Sequence, residues 1–79
     1  MRVIAAAVRQ AGRVWIGKRH PEIMARMREA GCKRVTQRQQ GFVLEDGSFV
    51  SRDVARDHAR ESGQVDEGFS KVLTSEDLW

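Results

Sequence analysis

Apolar and polar positions change period along this chain, and each change marks an element. Residues 2–9, RVIAAAVR, are apolar throughout between two arginines. Such a run suits a central strand, with Val3, Ala5 and Ala7 on one face and Ile4, Ala6 and Val8 on the other. The small alanines imply a neighbour packed closely above. Gln10-Ala11-Gly12 predicts a tight turn with glycine at positive φ, and Arg13 to Ile16 a returning strand. From residue 21 the period lengthens. Ile23, Met27 and Ala30 share a helical face with Met24 at its margin, and Glu22 and Arg26 pair at i,i+4 on the other side. Pro21 suits the first helical position and Gly31 the stop, so a helix is predicted over residues 21–30.

The next stretch, CKRVTQRQQ, has no clear period and reads as a loop entering a strand. Residues 41–50, GFVLEDGSFV, form the strongest hairpin signal, two β-prone runs around Asp46-Gly47. Ser51 then caps a second helix over about residues 52–62, ended by Gly63. On that helix Arg52, Arg56 and Arg60 form one stripe and Asp53, Asp57 and Glu61 the next, leaving Val54, Ala55, His58 and Ala59 as the inward face. Pairs Asp53–Arg56 and Asp57–Arg60 make this helix nearly self-neutral. From about residue 64 an extended tail of mixed polarity is expected to run over the surface, ending in LTSEDLW, with cap-like Ser75 and with Trp79 tied to the core. The order ββαββα in residues 1–79 gives a single α+β domain, an antiparallel sheet with both helices packed on one face.

Charge alters this picture through its distribution. The net +3 divides into +8 over residues 1–44, with ten Lys or Arg against Glu22 and Glu29, and −5 over residues 45–79, with four against nine. A basic region of this kind favours phosphate backbones or acidic protein surfaces. Its densest run, Lys18-Arg19-His20, stands just before Pro21, where the partial positive charge of a helix N-terminus should repel cations. An anion between the cations and the helix would resolve the conflict. The candidate contact residues are therefore Lys18, Arg19, His20, Arg26, Lys33, Arg34 and Arg38. Gln37, Gln39 and Gln40 lie among them and could read adenine edges, but no aromatic residue interleaves the run for base stacking.

Catalytic signals are weak. His20 and His58 could act as an acid–base pair, though a cap-side and an inward-packed histidine explain them as well. Cys32 precedes Lys33 and Arg34, which could lower its pKa, yet no partner base is evident. Asp66, Glu67, Glu76 and Asp77 match no metal-binding loop. No cofactor, metal or enzyme chemistry is expected. With one cysteine and no apolar run long enough to span a bilayer, the chain reads as a soluble, cytoplasmic monomer of a reducing compartment.

GKRH at 17–20, QGFV at 40–43, DGSFVSR at 46–52 and the final SEDLW together resemble a family of small phage and prophage proteins. Some short proteins of this kind are anti-CRISPR inhibitors, and the nearest resemblance is to an inhibitor of the type I-C effector complex. The segment 21–39 departs from that pattern. The resemblance implies a stoichiometric blocker, acting in the bacterial host, that binds an effector subunit and prevents target DNA from engaging. Direct nucleic-acid binding through the same patch, and a small phage hydrolase or nuclease using His20 or His58, are the alternatives.

Overall fold

The computed structural model describes residues 1–79. Strand β1 (Val3–Gln10) turns through Ala11 and Gly12 into β2 (Arg13–Gly17). Both turn residues have positive φ, 52° and 76°, the conformation whose twist matches a two-residue hairpin. Only Gly12 is the residue type that favours it; Ala11 adopts it at some cost. Helix α1 (His20–Glu29) follows, then a short 3-10 turn (Gln37–Gln39), strand β3 (Gln40–Leu44), strand β4 (Phe49–Ser51) and helix α2 (Arg52–Glu61). The sheet order is β2-β1-β3-β4 and every neighbour is antiparallel. β1 is thus a central strand, as its apolar run predicts.

The alternation along β1 is not the simple one expected. Its register on β3 slips between Val3, opposite Leu44, and Ala5, opposite Val43. This bulge inserts one residue and reverses the facing. Val3 therefore joins Ala6 and Val8 in the core, while Ile4 swings into solvent.

The two helices cover one face of the sheet. α1 packs on β1 and β2, and α2 on β3, β4 and β1. The shared core is Val3, Ala6, Val8, Phe42 and Leu44 from the sheet, Ile23 and Met27 from α1, Ala55 and Ala59 from α2, and Leu73. Alanines at 6, 55 and 59 let the layers approach closely. Val54, expected inward on α2, is 44% exposed; the buried edge of the helix is only Ala55 and Ala59. On the uncovered face, the Arg9 guanidinium lies 4.9 Å above the Phe49 ring. Gly41 admits that ring: a Cβ there would stand 2.6 Å from Phe49 Cζ and 2.2 Å from the Val50 carbonyl oxygen.

After α2 the chain has no strand and one short 3-10 turn, Ser75–Asp77. It is nevertheless fastened along its length, contrary to a free surface course. The Gln64 side-chain amide accepts from the Val3 N–H and donates to the Val3 carbonyl, both at 2.8 Å, in the manner of a strand partner. Arg56 and Arg60 donate to the carbonyls of Ser70 (3.0 Å) and Phe69 (2.8 Å). Leu73 is fully buried, and Thr74 rather than Ser75 caps the last turn, bonded reciprocally with Asp77. No helix is long and apolar enough to cross a membrane.

Candidate functional site

The N-terminus of α1 meets the end of the chain. Arg19 is the cap residue, and its side chain caps nothing. The orphan amide of His20 instead donates to the Ser75 hydroxyl oxygen at 3.2 Å, and the Arg19 guanidinium donates to the Trp79 backbone oxygen. The acceptor that the basic run needs is thus supplied from within, by the C-terminal turn. His20 itself is only 5% exposed. Its Nε2–H donates to the Gly41 carbonyl at 2.8 Å, and its ring stands edge-on to Phe42 at 5.0 Å. Burial holds the imidazole below its ordinary pKa of 6.5, with Arg52 adding to the effect, although the Gly41 bond and Glu76 oppose it.

At the other end of α1 the chain reverses sharply. Gly31, at φ 80°, lets its own amide reach the Arg28 carbonyl (3.1 Å) and that of Cys32 reach the Met27 carbonyl (3.0 Å). The returning loop and the helix flank a half-open cavity of about 480 Å³. Met24, Met27, Cys32 and Val35 supply its apolar lining; Arg28, Lys33 and Arg34 supply three cations and there is no carboxylate. The loop is pinned. Gln10 Nε2 donates to the Lys33 carbonyl at 3.0 Å and to Gln39 Oε1 at 3.3 Å, and Thr36 and Gln39 cap each other.

All four ion pairs lie in the second half of the chain: Arg56–Asp53 (3.8 Å), Arg56–Asp57 (3.7 Å), Arg60–Asp57 (2.6 Å) and Lys71–Asp77 (3.5 Å). Lys18, Arg19, Arg26, Arg28, Lys33, Arg34 and Arg38 have no Asp or Glu side-chain carboxylate within 4.0 Å. Two of these are otherwise engaged, Arg19 with Trp79 and Arg26 with the Ile16 carbonyl at 2.6 Å.

The seven residues singled out from sequence therefore do not form one patch. Lys33 and Arg34 stand together at the C-terminal end of α1, joined there by Arg28, which sequence reasoning missed. A basic residue in the last helical turn before a glycine stop was the available signal. Lys18, Arg19 and His20 lie at the opposite end of this ten-residue helix, about 15 Å away. Arg38 lines a separate groove of about 270 Å³ with Gln37, Gln40, Ser51, Arg52, Asp53 and Val72. That groove shares Gln40 and Arg52 with a smaller cavity, about 160 Å³, beside His20, Ser75 and Glu76.

His20 and His58 share no hydrogen bond; His58 Nδ1 lies 3.4 Å from the Met1 amino nitrogen. No three His, Cys, Asp or Glu side chains gather as ligands to a metal would. Asp77 is occupied in capping Thr74.

A family model described as "Phage T4 y16D protein" matches residues 2–79, and the chain belongs to that phage protein family. No curated protein and no solved structure matches.

Proposed function

We propose that this member of the T4 y16D family is a stoichiometric binding protein rather than an enzyme, and that it docks an anionic protein surface on the cations at the C-terminal end of α1. One observation carries the reading. Arg28, Lys33 and Arg34 ring an apolar cavity without a single carboxylate, while every ion pair of the protein lies elsewhere. Cations left unpaired over a desolvating surface favour an acidic partner and steer its approach. His20, the best catalytic candidate, is turned inward and spent on a backbone carbonyl.

The finer form of the proposal follows the sequence resemblance: the partner is a subunit of the type I-C CRISPR effector complex, and docking keeps target DNA from engaging. The test is effector binding to target DNA with and without the protein. Wild type suppresses DNA binding at near-equimolar ratio, and the double variant Lys33→Glu/Arg34→Glu does not. Undiminished inhibition by that variant overturns the assignment of the surface, and no inhibition by wild type overturns the choice of partner.

Direct nucleic-acid binding is the second reading, favoured by the groove where Arg38 and Arg52 stand with Gln37 and Gln40. Gel shifts across salt concentrations separate the two, because phosphate contacts give a steep log–log salt slope.

A further inference from the structure

We infer that the cavity at the end of α1 receives an acidic peptide segment of the partner, one apolar side chain entering between Met24, Met27, Cys32 and Val35 while flanking carboxylates meet Arg28, Lys33 and Arg34. This rests on the reading of the protein as an acidic-surface binder and specifies what that surface must present.

The chemistry of the lining selects this occupant. The cavity, about 480 Å³, has the size of sites that bury a ligand group. Two thioethers and a thiol give it a soft apolar floor that adapts to the shape of an incoming side chain. A phosphate backbone carries nothing to fill such a floor, and the lining holds no aromatic ring on which a base could stack. The three cations at the rim complement carboxylates on both sides of the anchor. Lys33 and Arg34 are exposed and their loop is pinned to Gln10, so the receiving geometry exists before binding. The burial of one anchor ringed by charge pairs is the arrangement in which few residues dominate affinity.

The test uses fluorescein-labelled peptides with a central Leu, Phe or Met flanked by two acidic residues on each side, titrated into the full chain by fluorescence anisotropy. Saturable binding is expected, weakened at least about tenfold when the central residue is Ser and again when Lys33→Glu/Arg34→Glu replaces the wild type. Circular dichroism verifies that this exposed double variant stays folded. Bound peptide should also slow alkylation of Cys32 by iodoacetamide. Equal affinity for the Ser peptide, or displacement of the peptide by a single-stranded oligonucleotide at lower concentration, overturns the inference. If the effector still binds in a Lys33- and Arg34-dependent way while no peptide does, the anchored-segment inference fails and the broader reading stands. If the effector binds in neither form, that reading fails.

Discussion

The backbone amide of His20 donates to the side chain of Ser75, 55 residues later in the chain, and this bond closes the N-terminus of α1. A helix that starts with Arg-His-Pro has no local side chain to satisfy its first amides. Ser75→Ala leaves this buried donor without a partner. Urea unfolding should show a loss of about 1–2 kcal/mol, the cost of a deleted cap. A change below about 0.3 kcal/mol would mean that the closing turn contributes nothing to α1.

His20 gives the fold an acid-sensitive joint. Its folded-state pKa lies below the unfolded 6.5 because burial disfavours the imidazolium, so between those values the unfolded chain binds more protons. This contribution is complete above about pH 6.5 and is lost as pH falls toward the folded value, with a slope of at most about 1.4 kcal/mol per pH unit. Asp46 and Asp77 act lower, below 3.8. Asp46 is lowered by its bonds with Ser48; at Asp77 burial raises the pKa, but Thr74 and Lys71 together outweigh it. Denaturant midpoints should therefore fall as pH drops below about 6.5 in the wild type and stay level just below that pH in His20→Gln. A wild-type midpoint independent of pH there would contradict the burial of His20.

Gly41 stands where β4 leaves no room for a side chain on β3. A methyl group would collide with the Val50 carbonyl oxygen and the Phe49 ring, and the carbonyl belongs to the ladder and cannot turn away. Gly41→Ala should cost at least about 2 kcal/mol and disturb the Arg9–Phe49 stack. A variant with the wild-type melting temperature would show that the strands can separate freely.

Leu73 tests whether the chain after α2 belongs to the core. It is fully buried in a segment with no regular structure, so Leu73→Ala should lose about 2–4 kcal/mol, while exposed Val72→Ala stays within about 0.5. Equal effects at the two positions would return this segment to the surface.

The sequence discloses what local chemistry controls. Asp46-Gly47, Pro21, Gly31 and Ser51 each mark a turn or helix end that stands within a residue or two of its expected place. The Asp57–Arg60 pair forms at 2.6 Å as its spacing predicts. Contacts between distant residues were not legible. The β1 bulge depends on the partner strand, and Gln64 reaches Val3 across 61 residues. The basic run divides along α1 because a ten-residue helix places Arg19 and Lys33 at opposite ends, which a count of charges cannot reveal. Val54 faces out because α2 is turned to set Ala55 and Ala59, one turn apart, against the sheet, and the adjacent position then points about 100° away.

Amide chemical-shift mapping by NMR examines the central claim most directly. The full chain is titrated with the acidic, apolar-centred peptide. The largest perturbations should fall on residues 24–28 and 32–35, around the cavity of Met24, Met27, Arg28, Cys32, Lys33, Arg34 and Val35. Perturbations centred instead on the groove of Arg38 and Arg52, on Lys18 and Arg19, or on the uncovered face beside Arg9 and Phe49 would contradict it.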